Sequence, residues 1–119
     1  MKTEIDASRG MIRQGDVLLK PIARPRGDIE DVSTRDPRGL VLAEGETSGH
    51  HHEVLGKGAR LFSMGITPDQ LILYASEQGA SIEVVNTKPG MPLRHEPVKI
   101  EPGFYEVVLQ RAFEVPLID

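Results

Sequence analysis

The sequence predicts an all-β fold, either a small single-domain β-barrel or a compact sandwich of about eight short strands. Short apolar runs alternate with turns that contain Gly or Pro, which is the pattern of strands joined by tight connections. The chain has three Phe, two Tyr and no Trp among 119 residues, so Val, Ile and Leu must fill the core. Such a composition favours strands, and no window combines a helical apolar period with helix caps.

The first third of the chain contains one predicted strand between two polar segments. Residues 1–12 form a polar leader without periodicity, which we expect to fray or to add a short edge strand. The first strand lies within 14–22; it enters through the turn Gly15-Asp16 and ends at Pro21. The stretch 23–38 is rich in Pro, Gly and charge, and predicts a long polar loop.

The rest of the chain alternates between apolar runs and turns, and we interpret 13–119 as a single β domain. Each predicted strand is bounded by a Gly, a Pro or a short polar cluster. These strands are 39–44, 50–55, 59–64, 70–75, 80–86, 98–100 and about 104–115.

Composition and charge exclude several classes of function. The chain has no Cys, so disulfides, thiolate metal sites and a Cys nucleophile are excluded. It also lacks a membrane-length apolar run and the apolar region of a signal peptide, which predicts a cytoplasmic protein without a membrane partner. The formal net charge is -4, and the Lys and Arg residues are interleaved with acids. This distribution disfavours a nucleic-acid partner.

The four histidines are the most chemically informative residues, and they occupy two places, 50–52 and His95. Alternate side chains of a strand share a face, so His50 and His52 are expected to point the same way as Val54. His51 then turns to the opposite face. If Val54 faces the interior, the two outer histidines do so as well.

A His-x-His pair on a strand presents two imidazoles to one metal ion, so His50 and His52 predict a site for a divalent transition metal (Zn, Fe, Mn or Ni). Such an ion needs a third ligand, for which His95 is the candidate. Glu44 and Glu46 are the candidate catalytic carboxylates, which would complete the coordination or act as base on a metal-bound water. Two more carboxylates lie close by in the sequence, Glu53 and Glu96.

Three segments of the chain resemble an uncharacterised family of small bacterial and phage β proteins. The resemblance implies that His50, His52 and His95 belong to the recurrent pattern of that family, and it implies no particular reaction. The segments are RQGDVLLKPI (13–22), LAEGETSGHHH (42–52) and HEPVKIEPGFYEVVLQRAF (95–113).

The same histidines are also similar, in their order, to three ligands of the cupin metal motif, and this weaker similarity implies a cupin-like barrel. The motif places a Glu several residues after the His-x-His pair, whereas Glu53 follows His52 directly. The similarity is therefore one of architecture, and architecture does not transfer function.

Two classes of function remain open. The first is a histidine-lined metal-binding domain, which as an enzyme would act on a small-molecule ligand, by hydrolysis with zinc or by oxygenase chemistry with iron. The second is a noncatalytic module that pairs with a protein partner or forms a homodimer through its strand edges and the 23–38 loop. Histidines that act without metal as acid or base, or that are only an exposed polar strand, are further alternatives. Burial of His50 and His52, with imidazoles that converge in a concave pocket, favours the metal site, whereas imidazoles that splay into solvent favour the module.

Overall fold

The computed structural model describes residues 3–45, 49–64, 70–86 and 96–110, which form two antiparallel β-sheets. The six-stranded sheet has the order β1-β2-β10-β7-β6-β3, and the four-stranded sheet has the order β4-β5-β8-β9. The prediction of an all-β fold is confirmed, as a compact sandwich; the alternative of a closed barrel is wrong, because each sheet keeps two edges. The strands are β1 (Ile12–Gln14), β2 (Val17–Ile22), β3 (Ile29–Asp31), β4 (Leu40–Glu44), β5 (His50–Leu55), β6 (Arg60–Met64), β7 (Leu71–Ala75), β8 (Ala80–Asn86), β9 (Val98–Ile100) and β10 (Gly103–Leu109).

Aliphatic side chains from both sheets fill the space between them, as the scarcity of aromatic residues predicts. Each fully buried Val, Leu or Ile contributes about 1.5–3 kcal/mol to the free energy of unfolding. Among the described residues, one aromatic ring belongs to this core, that of Tyr105, whose hydroxyl donates a hydrogen bond to the Glu101 carbonyl at 2.6 Å. The buried aliphatic residues of this core include Val17, Leu19 and Leu73 of the six-stranded sheet and Val54 and Ile82 of the four-stranded sheet.

The predicted Gly15-Asp16 turn is present, and it joins two strands into a hairpin. Gln14 pairs with Val17, so only Gly15 and Asp16 lie in the loop. Gly15 has a φ of 60°, and no residue other than glycine has a positive φ in the described part of the chain. A two-residue loop with glycine at its first position is a type II′ turn, whose twist matches that of the paired strands. The turn therefore places Asp16 in a defined position at one end of the sandwich.

Pro21 does not end its strand, contrary to the sequence-based expectation. It lies inside β2 and pairs with Tyr105 of β10. The carbonyl of Pro21 accepts a hydrogen bond from the Asp6 N–H, and the nitrogen of a strand residue points to the same side as its carbonyl. The proline nitrogen thus faces the N-terminal segment and leaves the ladder between β2 and β10 intact.

The N-terminal segment is attached to this same edge of the six-stranded sheet. Ile5 forms a bridge with Ile22, and the Arg9 guanidinium lies 4.7 Å from the ring centroid of Tyr105. The Nη2 of Arg9 also donates to the carbonyls of Ile22 and Phe104, at 2.9 and 3.2 Å. Arg9 thereby joins the segment to two neighbouring strands, β2 and β10.

The strands β1 and β3 have three residues each. β1 lies where the leader 1–12, for which a short edge strand was one of two expectations, meets the predicted strand. β3 was not predicted; it lies within the predicted 23–38 loop, where Ile29 pairs with Met64 of β6. The last predicted strand extends to about residue 115; β10 ends at Leu109, and 111–119 lie outside the described residues. Within the described ranges, no helix has the length and apolar character needed to cross a membrane.

Candidate functional site

Strand β5 carries the three adjacent histidines, and it is buried on both of its faces. His50, His51 and His52 are 6%, 2% and 3% exposed. Val54 belongs to the core between the sheets, so His50 and His52 face the interior, as strand alternation predicts. The cross-strand neighbour of His52 on β8 is Val84, which is also buried. The strand is therefore not an exposed polar edge.

His52 is linked across the sandwich to the six-stranded sheet through Gln14 of β1. Its Nδ1 lies 3.0 Å from Gln14 Oε1. The amide nitrogen of Gln14 donates to the carbonyls of Ile82 and Glu96, at 3.0 and 2.7 Å. Gln14 is 3% exposed, so all three of these contacts are shielded from solvent.

The contacts of Gln14 determine which ring nitrogen of His52 carries the proton. Two carbonyl oxygens require the NH₂ group of Gln14 on their side, so the amide oxygen must face His52. An oxygen cannot donate, and the Nδ1 of His52 is therefore the protonated donor. In a neutral imidazole with the proton on Nδ1, the lone pair lies on Nε2.

Asp16, at the β1–β2 turn, is the nearest described carboxylate to that nitrogen. Its Oδ1 lies 3.7 Å from His52 Nε2, and Asp16 is 5% exposed. The distance is longer than a hydrogen bond. A lone pair and an anionic oxygen repel each other in a low-dielectric interior unless a proton or a cation lies between them.

The opposite face of β5 carries a second polar pair, His51 and Glu53. His51 Nε2 lies 2.8 Å from Glu53 Oε1, and its Nδ1 has no hydrogen-bond partner among the described residues. A Cβ at Gly39 would lie 2.8 Å from Glu53 Oε2, so the backbone before β4 packs directly on this carboxylate. The neighbouring histidines His51 and His52 therefore belong to two separate environments.

The structure places Glu44, a predicted catalytic carboxylate, on the face of His51 and away from His52. Glu44 pairs with His51 across β4 and β5, and cross-strand partners point to the same side. Its side chain is 65% exposed and lies 2.6 Å from Nη2 of Arg38. The hydrogen bond from Arg38 lowers the pKa of Glu44. The other predicted residues of the site, Glu46 and His95, lie outside the described residues.

Over 3–45, 49–64, 70–86 and 96–110, no three His, Cys, Asp or Glu side chains come together in a geometry that could hold a metal ion. The described residues of the candidate site are His50 and His52 on β5, with Asp16 beside Nε2 of His52. They do not form a set of three metal ligands.

Gln14 and Asp16 were absent from the sequence-based set of site residues. The signal that could have found them is the tripeptide Gln14-Gly15-Asp16, in which polar residues flank a turn glycine directly before an apolar strand. A turn predicts where the chain reverses. It does not predict that the second sheet brings His52 against that turn.

Comparison with known proteins identifies the family but no activity. Residues 13–110 match the model described as Domain of unknown function (DUF8820), and the chain belongs to this family. No curated protein and no solved structure matches the chain.

Proposed function

We propose that the protein is a small metal-binding β domain in which His50 and His52 bind one divalent transition metal ion, with His95 as a further ligand. The observation that carries the proposal is the interior position of both histidines, together with the hydrogen bond that holds His52 Nδ1–H on Gln14. A metal-binding histidine typically donates its other ring N–H to a protein oxygen, which fixes its tautomer and orientation.

Burial of the histidines supports this proposal over the interaction module. The inner positions of a sandwich strand normally carry apolar side chains, as Val54 and Ile82 do. Moving a polar imidazole from water into an apolar interior costs free energy of desolvation. Metal coordination by His50 and His52 would offset this cost. A protein partner could not contact these two buried imidazoles, so they would not contribute to an interaction surface.

The chemistry of the histidine donors limits the choice of metal. Zinc, iron, manganese and nickel all accept imidazole ligands. In the enzymatic form of the proposal the protein is cytoplasmic and acts on a small molecule, with a metal-activated water as nucleophile and Glu46 as the candidate base.

The test compares metal content in matched variants of β5. Wild-type, His52→Asn and His51→Gln proteins, all without tags, are incubated separately with Zn²⁺, Fe²⁺, Mn²⁺ and Ni²⁺, dialysed and measured by elemental mass spectrometry. Asparagine at 52 keeps a donor near Nδ1 and removes Nε2, whereas glutamine at 51 keeps the contact with Glu53. Circular dichroism checks that each variant is folded.

We expect near-stoichiometric metal in the wild type and in His51→Gln, and loss of metal in His52→Asn. A wild-type protein that retains none of the four ions would overturn the proposal and leave the interaction module as the better explanation. Equal metal content in all three proteins would place the metal elsewhere.

A further inference from the structure

We propose that a pocket formed by the β3–β4 loop and strands β4, β6 and β7 binds a small carboxylate with an aliphatic chain, and that Arg35 holds the carboxyl group. The pocket has a volume of about 310 Å³. None of the described residues that line it is a histidine. The inference therefore goes beyond the proposed metal site and does not depend on it.

The wall of the pocket is aliphatic and continuous with the core of the sandwich. Val32 and Leu61 belong to the buried core, and Leu71 packs against it. Leu71 of β7 and Val41 of β4 are only half-buried, so part of their apolar surface still faces solvent. A ligand that covers this surface removes it from water, which favours the binding of an apolar chain.

Hydrogen bonds fix the loop that forms one side of the pocket. The N–H of Val32 donates to the carbonyl of Leu61 at 2.8 Å, and the N–H of Leu61 donates to Ser33 Oγ at 2.9 Å. Further along the loop, a turn is closed by the N–H of Gly39, which donates to the carbonyl of Asp36 at 3.1 Å. The loop is thus attached to β6, and a preformed pocket loses little conformational entropy when a ligand binds.

The volume of the pocket limits the size of the ligand. It equals the volume of about ten water molecules at about 30 Å³ each, so a ligand of about ten non-hydrogen atoms would fill it. Small-molecule pockets of proteins range from about 300 to 1,000 Å³, and this pocket lies at the lower end of that range. Octanoate, a straight-chain carboxylate, has the required size.

Arg35 is the group at the pocket that is free to receive an anion. Its N–H donates to the carbonyl of Val32 at 2.9 Å, which fixes its backbone, and its guanidinium is not paired with any described residue. Asp36, which also lines the pocket, is bound at both carboxylate oxygens by Arg38. Among the described lining residues, the unpaired charge is therefore positive. A guanidinium can bind a carboxylate through two parallel hydrogen bonds.

The first experiment is an NMR titration of octanoate into wild-type protein that is labelled with ¹⁵N and methyl ¹³C and dialysed free of metal ions. We expect saturable shifts of the methyl groups of Val32, Val41, Leu61 and Leu71, with a dissociation constant of about 1 mM or below. Leu55 is exposed and does not line this pocket, so its methyl groups are the internal control. The absence of saturable shifts at the four residues, or equal shifts at Leu55, would overturn the inference.

The role of Arg35 is tested by the same titration of Arg35→Gln and Arg24→Gln. Arg24 is a matched control, because it is exposed, lies in the same 23–38 segment and does not line the pocket. We expect octanoate to bind Arg35→Gln about 5–10-fold more weakly than the wild type, and Arg24→Gln with unchanged affinity. 1-Octanol has no charge and should bind all three proteins equally. Equal affinity of octanoate for folded Arg35→Gln and wild type would refute the assignment of the carboxyl group to Arg35.

The location of the aliphatic chain is tested with Val41→Phe, in which the larger side chain fills the pocket from β4 and leaves Arg35 in place. We expect this variant to lose binding of both octanoate and 1-octanol, while circular dichroism checks that it is folded. A folded Val41→Phe protein with wild-type affinity for both ligands would show that they bind elsewhere and would overturn the inference.

Discussion

At the scale of single residues, the environment of each charged or polar side chain depends on the face of β5 that it occupies. His52 faces Gln14 and Asp16 in the interior, whereas His51 contacts Glu53 on the other side. Beyond His51, on the same outer side, Arg38 forms ion pairs with Asp36 and Glu44. These exposed pairs contribute little to stability individually, but they change how the carboxylates titrate.

The Asp36–Arg38 pair gives a prediction about pH dependence. The side-chain hydrogen bond from Arg38, with the bond from its backbone N–H, lowers the pKa of Asp36 from 3.8 to about 2. Since the folded-state pKa is lowered, the pair stabilises the protein above pH 3.8, and this contribution is lost as the pH falls to about 2.

In Arg38→Gln we expect the pKa of Asp36 to rise toward 3.8 without reaching it, because the backbone N–H at position 38 still donates. The measurement is a pH titration of side-chain carboxyl ¹³C shifts by NMR. Asp6, whose own pKa is lowered by Ser8 and Arg9, serves as the internal control and should not move. An unchanged titration of Asp36 would show that Arg38 does not set its pKa.

Some of the site could be predicted from the sequence at this scale, and some could not. The period of two along a strand is a local property, and it correctly placed His50 and His52 on the face of Val54. The contact between His52 and Gln14 joins residues 38 positions apart in different sheets. Such a contact depends on how the sheets pack, for which no local pattern exists.

At the scale of elements, the N-terminal segment is attached to the six-stranded sheet through the bridge between Ile5 and Ile22. Arg9 adds to this attachment through the carbonyls of Ile22 and Phe104 and the face of the Tyr105 ring. The short strand β3 was missed because three residues are too few for an apolar period to be recognised. Pro21 was misinterpreted because its effect depends on which neighbour its nitrogen faces.

Replacement of Arg9 by Met tests this attachment. The variant loses hydrogen bonds from a charged group and a cation–π contact, and we expect the free energy of unfolding in urea to fall by about 2–3 kcal/mol. Hydrogen exchange should accelerate at Ala23, whose N–H donates to the carbonyl of Glu4. Arg13→Met is the control, because Arg13 is exposed and, among its described contacts, bonds only the side chain of Gln110. This substitution should change the free energy of unfolding by no more than about 0.5 kcal/mol. Equal losses in the two variants would contradict the special role of Arg9.

At the scale of the whole molecule, the proposed metal site would connect the two sheets at one end of the sandwich. His50 and His52 belong to the four-stranded sheet, and Gln14, which hydrogen-bonds to His52, belongs to β1 of the six-stranded sheet. The overall class of fold was predictable because the turn signals and the aliphatic core are spread along the chain. The division into two sheets was not, because the partners of each strand lie far apart in sequence, as β2 and β10 do.

Bound zinc should therefore stabilise both sheets together. Free Zn²⁺ at 100 times the dissociation constant adds about 2.7 kcal/mol to the free energy of unfolding. We expect a higher urea midpoint with Zn²⁺, reversal by a chelator, and slower hydrogen exchange in β1, β2 and β5 alike. The His52→Asn variant is the control and should show none of these changes. Protection confined to β5 would indicate a site that does not reach the second sheet.

The contact of Arg9 with Tyr105 shows that the packed structure begins before the segment that the family model matches. The family segment begins at residue 13, whereas the cation that covers the Tyr105 ring lies four positions earlier. Gly103, within the family segment, has a φ of 134°, and the guanidinium of Arg9 occupies the place where its Cβ would be. A chain cut to residues 13–110 would keep Gly103 but would lose the Arg9 side chain that lies against it. The φ of Gly103 favours glycine even without the Arg9 side chain, so members of the family with another residue at the position of Arg9 should still carry glycine at the position of Gly103.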